Sequence, residues 1–298
     1  MASSRKRQGG VALARRAPPR ERESEMRVML SRAMPAIERR LAGAFTGEEM
    51  VALVMTQLRR NAALLECSGA SILGSVFEAS QLRLRFDSVL GHAYLVPFKR
   101  EATLIVGYRG MITLATRAAS VSAVWARTVY ERDRFDVEEG DKPRLSHRPT
   151  MGRDRGNPVA AYGCFRMKDG FIRTRIIPWW EILEIRDKIL SRRRSSDTPW
   201  KSDIEPMAWK TAIRRELKYV PLAAADLRAV VRDEYIDAGV TANMATVATE
   251  AVEAGEIDAE IVESVPAIDE PEAPSDAPET DPTDSASGGD PPGLPKDF

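Results

Sequence analysis

The stretch Gly91–Thr116, GHAYLVPFKREATLIVGYRGMITLAT, decides how the rest of the chain is read. Two β-prone apolar runs, Tyr94 to Phe98 and Thr103 to Val106, flank the short polar segment Lys99-Arg100-Glu101-Ala102. That pattern predicts a hairpin. Gly107-Tyr108-Arg109-Gly110 then opens a helical pattern carried by Met111, Ile112, Leu114 and Ala115. Glycines on both sides of a Tyr-Arg pair let the backbone bend sharply and approach a ligand closely. Lys99, Arg100, Arg109 and the ring of Tyr108 are thereby expected at the ends of buried strands. That layout suits a polyanion with flat bases better than a small neutral substrate. The competing reading of Tyr108 is a core tyrosine with a satisfied hydroxyl.

On either side the patterning alternates between periods. Thr46-Gly47-Glu48-Glu49 has the spacing of a capping box. Met50, Leu53, Val54 and Leu58 follow on one helical face. A further helix is expected over 71–82, with Ile72, Val76 and Leu82 facing inward. Strands are expected over 121–130, at 135–137 and 145–147, and over 159–167 and 171–177. The last two flank Lys168-Asp169-Gly170, a hairpin turn signal. Helices return over 179–190 and from Pro206 to Tyr219. Short connections favour antiparallel pairing. The fold class expected is therefore α+β, a small antiparallel sheet flanked by helices.

The formal net charge is zero, yet the charge is unevenly placed. Residues 1–220 carry 41 Lys and Arg against 25 Asp and Glu, and residues 221–298 carry 3 against 19. A basic body with an acidic end points to nucleic acid or another anionic surface. Residues 1–25 read as a disordered basic arm, 26–237 as a single folded core, and 238–298 as a disordered acidic tail. The eight prolines from 265 onward support the last boundary. Cys67 and Cys164 are isolated, which argues against a disulfide framework and for a reducing compartment. No apolar run is long enough to span a bilayer.

Two groups of cations stand out. Lys99, Arg100 and Arg109 belong to the hairpin block. On the helix from Met207 to Val220, Lys210, Arg214 and Lys218 recur at i, i+4 and i+8, with Arg215 at the margin. Ala208, Trp209, Ala212, Ile213, Tyr219 and Val220 fill the opposite arc, with Glu216 as an exception. The stripe has no acidic partner at i±4 within its own helix, so it repels itself unless an anion is near. Its competing reading is an ordinary solvated face.

The chemistry-bearing motifs point away from catalysis. There is no Gly-x-x-x-x-Gly-Lys-Ser/Thr loop for a nucleoside triphosphate, and His92 and His147 have no zinc spacing. Asp133, Asp136, Glu138, Glu139 and Asp141 are dense enough to consider a Mg²⁺-dependent nuclease. A solvated acidic turn is the alternative, with Asp133 structural.

An ordered series of motifs resembles the RecT family of phage and prophage single-strand annealing proteins. It comprises Gly91-His92-Ala93-Tyr94-Leu95-Val96-Pro97-Phe98-Lys99, Ile105-Val106-Gly107-Tyr108-Arg109-Gly110, Val129-Tyr130-Glu131-x-Asp133-x-Phe135, Pro199-Trp200 and Met207-Ala208-x-Lys210-Thr211. The likeness spans roughly residues 30–225. It implies ATP-independent annealing of complementary single-stranded DNA in recombination, with no covalent chemistry. It implies a homo-oligomer, ring or helical filament, holding a strand and then the annealed duplex intermediate. It places the Met-Ala-x-Lys-Thr helix in the DNA groove. Trp209-Lys210 departs from the two adjacent basic residues common there. The implied setting is the bacterial cytoplasm, for a phage- or prophage-encoded protein. No cofactor of its own is implied, any Mg²⁺ arriving with the DNA. The acidic tail is a candidate tether for a partner exonuclease or a host single-strand binding protein. The competing functions are a DNA or RNA coat protein that does not anneal, and the nuclease above.

Overall fold

The computed structural model describes residues 18–267, apart from 88, 193–197, 238 and 240–242. Helices α1 (Pro19–Arg32), α2 (Met34–Leu41) and α3 (Gly47–Arg60) come first, then a short 3₁₀ turn, Ala62–Glu66. The capping box is formed as expected: Thr46 Oγ1 accepts from the Glu49 amide at 3.1 Å, and the Thr46 amide donates to Glu49 Oε2 at 3.1 Å. Helix α4 (Gly69–Gln81) is buried on nearly every side, and its Ile72, Leu73, Val76 and Phe77 are wholly inaccessible. A helix apolar all round belongs at the centre of a core.

Strands β1 (Ala93–Phe98) and β2 (Glu101–Val106) form the predicted hairpin, in register from Ala93↔Val106 to Phe98↔Glu101. The turn is tighter than expected. Only Lys99 and Arg100 lie outside the strands, and Lys99 takes φ +55°. Two serines one helical turn apart fasten β2 to α4: Ser75 Oγ donates to the Ala102 carbonyl at 3.0 Å, and the Ala102 amide donates to Ser71 Oγ at 2.9 Å.

Helix α5 (Tyr108–Arg117) leads to β3 (Val121–Tyr130), β4 (Arg134–Glu138), β5 (Arg144–Arg148), β6 (Pro158–Met167) and β7 (Ile172–Pro178). Among the described residues the single expected sheet is three antiparallel pieces. They are β1-β2, a three-stranded sheet in the order β3-β6-β7, and the separate hairpin β4-β5. Local hairpin signals fix neighbouring pairs but carry no information on whether two hairpins share an edge. One face of β3-β6-β7 is covered by α6 (Trp179–Arg192), the short α7 (Pro199–Ser202) and α8 (Ile204–Leu217), through Ala161, Ile177, Ile182, Trp200, Ala208 and Ala212. On the other face Phe135 and Leu145 of β4-β5 pack against Val129, Ala160, Tyr162 and Cys164.

The chain ends its described part with α9 (Ala224–Asp237), α10 (Ala245–Glu253) and α11 (Ala259–Glu263). This moves both expected boundaries of the core. The acidic end does not leave the fold at 238. Met244, Ala248, Ala251, Ile261 and Val265 are buried, and the Gly69 amide donates to the Val265 carbonyl at 2.7 Å. A Cβ on Gly74 would fall 1.8 Å from the Met244 carbonyl oxygen, so α10 lies directly on a bare patch of α4. Likewise α1 begins at Pro19, inside the expected arm. Arg22 is 5% exposed because its guanidinium donates to carbonyls of Leu65 (3.0 Å), Cys67 (3.2 Å) and Pro266. A charged residue that caps carbonyls can be buried, which composition alone does not reveal. The expected disorder of 1–17 and 268–298 concerns residues outside those described. Among the described residues no helix is long and apolar enough to cross a membrane.

Candidate nucleic-acid interface

The hairpin delivers the chain into α5 through a turn that admits no side chains on its glycines. A Cβ on Gly107 would lie 2.2 Å from the Gly91 carbonyl oxygen, and one on Gly110 would lie 2.1 Å from that of His92. The Gly107 amide donates to the same His92 oxygen at 2.9 Å. Backbone is thus pressed on backbone, and the two residues between the glycines are set in fixed directions. Arg109 points to solvent. Its Nε donates to the Tyr108 hydroxyl at 3.1 Å, and one Nη donates to the Val89 carbonyl at 3.1 Å. Both acceptors are neutral, so the charge is positioned without being cancelled.

Tyr108 takes part in the packing. Its ring is half-buried and meets Trp209 edge-on, with centroids 5.9 Å apart. Trp209 packs: its Nε1 donates to Thr128 Oγ1 at 2.9 Å. The aromatic pair therefore ties the start of α5 to α8 and β3.

Lys99 and Arg100 are not beside Arg109. The register puts them at the far end of a hairpin six residues long, about 17 Å away at about 3.4 Å per residue. Lys99 is exposed and Arg100 half-exposed. Among the described residues no ion pair involves either.

The basic stripe of α8 requires a correction. Lys210 and Arg214 are 4% and 5% exposed, because α9 lies over them. Lys210 Nζ is 2.7 Å from Asp233 Oδ1. One Nη of Arg214 is 2.7 Å from Asp233 Oδ2 and also bonds Asp237. Burial disfavours the charge on Arg214, but the two carboxylates outweigh that and raise its pKa above the ordinary arginine value. Lys218 pairs with Glu234, and Arg215 lies 2.6 Å from Glu181. The absence of acids at i±4 within one helix reads as unmet repulsion only while the helix is taken alone. The acids come from another helix, Asp233 and Asp237 one turn apart, which in-helix spacing does not show. The anomalous Glu216 is 3% exposed and is held by Arg173 at 2.7 Å and Arg175 at 3.4 Å.

Asp133 is occupied by structural bonds. It accepts from the amides of Tyr130 (3.0 Å) and Thr150 (2.8 Å) and from Arg155 (3.1 and 2.5 Å), and it lies 3.1 Å from His147 Nε2. Burial opposes its ionisation. The bonds from Arg155, Thr150, His147 and Tyr130 prevail and hold its pKa well below the usual carboxylate range. It closes the junction of β3, β4 and the 149–157 loop. Among the described residues no three His, Cys, Asp or Glu side chains are grouped to hold a metal ion.

The RecT family model matches residues 48–247, two thirds of the chain. The chain belongs to the RecT family. It is 37% identical over 232 residues to Protein RecT of Escherichia coli (strain K12), covering 74% of this chain and 84% of that protein. It is 28% identical over 221 residues to the uncharacterized protein YqaK of Bacillus subtilis (strain 168), covering 72% and 70%. As a RecT-family member it is a DNA-binding recombination protein of the single-strand annealing class. The family match runs past α9 into α10, in line with the later boundary of the folded core.

Proposed function

We propose that this RecT-family chain anneals complementary DNA strands without ATP, as an oligomer that holds one strand by its phosphates and leaves the base edges free. The observation that carries this reading is Arg109, an exposed guanidinium aimed by a glycine-clamped turn and bonded only to neutral groups among the described residues. Phosphate contacts of this kind position a strand without reading its sequence. Lys99 and Arg100 extend the contact along the hairpin, and Tyr108 fixes the direction of Arg109. Lys218 and Arg215, partly exposed, are secondary contacts. Lys210 and Arg214 serve the interface by holding α8 against α9.

Holding two strands close together replaces a bimolecular search with a local one. No bond is made or broken, and the chain needs no cofactor of its own. Side-by-side protomers, in a ring or a helical filament, make the contact continuous. Residues 268–298 would serve as the tether for an exonuclease or a single-strand binding protein.

The test is a strand-annealing assay with two labelled complementary oligonucleotides, in EDTA and without nucleotide. Pairing well above the spontaneous rate is expected, and a variant with Lys99, Arg100 and Arg109 replaced by Ala should lose it. Strand binding without acceleration would make the protein a coat protein. Shortening of end-labelled DNA in Mg²⁺ would make it a nuclease. Either result overturns the proposal.

A further inference from the structure

The edge of the three-stranded sheet carries a second aromatic and cationic group. Arg173 and Arg175 alternate along β7, so both project to one side, and Phe171 directly precedes the strand. At that side α8 ends, and its next turn presents Tyr219. The Tyr219 ring lies 5.7 Å from the Arg173 guanidinium carbon and 5.9 Å from that of Arg175. Tyr219 is 61% exposed and Phe171 is 42% exposed. The Arg173 and Arg175 side chains are 32% and 40% exposed, and both turn to the single buried carboxylate of Glu216.

The charge count at this spot does not close. Two guanidiniums share one carboxylate, leaving one positive charge at the surface. Among the described residues Glu216 is the carboxylate that both guanidiniums reach. A partly exposed, uncancelled guanidinium charge beside an open aromatic face suits a ligand that brings both an anion and a flat ring. Both guanidiniums converge on Glu216 and on the Tyr219 ring, so together they form one cationic site that suits a single phosphate beside the ring. An acidic peptide would satisfy the cations but leave the rings without a partner.

We propose that Arg173, Arg175 and Tyr219 form a further single-stranded DNA contact, in which Tyr219 stacks on one base and the two arginines hold the phosphate beside it. It rests on the reading that this chain binds single strands. It adds base stacking, which Arg109 and the hairpin lysine do not supply. Stacking on an aromatic side chain tolerates every base, as a protein that anneals arbitrary sequences requires. Glu216 is the positioning residue, fixing both guanidiniums from beneath.

The test uses the full chain and a fluorescein-labelled poly(dT) strand, with binding read by anisotropy across a salt series. Tyr219→Ala removes an exposed ring, so its thermal melt should match the parent. Its affinity should fall roughly five- to a hundredfold with an unchanged salt slope. Tyr219→Phe should bind as the parent does. Arg175→Gln leaves Arg173 on Glu216 and should reduce the slope of log affinity against log salt by about 0.7. On an oligonucleotide of abasic sites the Tyr219→Ala loss should vanish. Equal binding of Tyr219→Ala and parent to poly(dT), in a preparation where Arg109→Ala binds more weakly, would overturn this inference alone. A full-sized loss persisting on the abasic strand would also overturn it, and would assign the patch to an anionic partner without bases. A parent that binds no single strand at all would remove the functional reading along with it.

Discussion

The ammonium of Lys210 and the carboxylate of Asp233 meet at 2.7 Å with both side chains almost completely out of solvent, and Arg214 reaches the other oxygen of the same carboxylate. Asp233 is thus the shared acceptor of two buried cations. Removing one member of a buried pair leaves the others charged and unsolvated, which costs about 3–5 kcal/mol. Asp233→Ala should therefore lower stability in urea by that order, with α9 the first element to lose amide protection. Replacing the more exposed Lys218 should cost under about 1 kcal/mol. Equal, small effects of the two substitutions on the unfolding curve would mean that α9 is not held by these pairs.

The depressed pKa of Asp133 makes a statement about acid stability. Its folded value lies below its unfolded value of about 3.9. Such a group contributes its stabilisation fully above the unfolded value and loses it as pH falls toward the folded one. Asp133→Asn should be clearly less stable than the parent at pH 7, and the gap should narrow steadily below about pH 4. Urea unfolding of both chains at neutral and acid pH measures this. A gap independent of pH would mean that the substitution removes only packing and not a stabilising charge.

Much of the fold is legible in the sequence because its signals are local. The capping box at Thr46, the strand from Val121 to Tyr130 and the Asp-Gly turn before β7 each need only neighbouring residues, and each is where expected. The C-terminal helices are hidden for a compositional reason. Residues 243–267 are acidic and free of aromatics, and that masks Met244, Ala248 and Ala251 at helical spacing. The α8 stripe is a stripe, as its spacing predicts, but Lys210 and Arg214 within it are buried. Periodicity shows which side chains share a face and not what lies against it. For the same reason the hairpin cations look like a single cluster in the sequence. Only the register of β1 on β2 shows that Lys99 and Arg109 stand at opposite ends.

The bare glycines of the 107–110 turn should be intolerant of a methyl group. At Gly110 a Cβ meets a backbone carbonyl, which cannot rotate away as a side chain would. Gly110→Ala must push α5 off the 91–92 segment. The cost expected from overpacking is about 1–3 kcal/mol. Because the shift moves Arg109, single-strand affinity should fall in the same variant. Gly43→Ala is the contrast: its Cβ meets nothing within 4 Å and its φ is +77°, so it strains only its own turn. It should reduce stability while leaving strand affinity intact. Normal DNA binding by a destabilised Gly110→Ala protein would separate the turn from the interface.

The length of the hairpin sets how its two cationic ends combine. Substitutions more than about 7–10 Å apart with no shared partner add to within about 0.3–0.5 kcal/mol. Lys99 and Arg109 exceed that distance, and among the described residues they share no partner. Each should contact a different phosphate, so Lys99→Ala and Arg109→Ala should each reduce the salt slope by about 0.7 and the double variant by about 1.4. Free energies of binding to poly(dT), measured for parent, singles and double at one salt concentration, should close the cycle without an interaction term. A coupling above about 1 kcal/mol would exceed what independent sites allow. It would place both side chains on one phosphate, which the strand register forbids within a single protomer and which a neighbouring protomer alone could bring about.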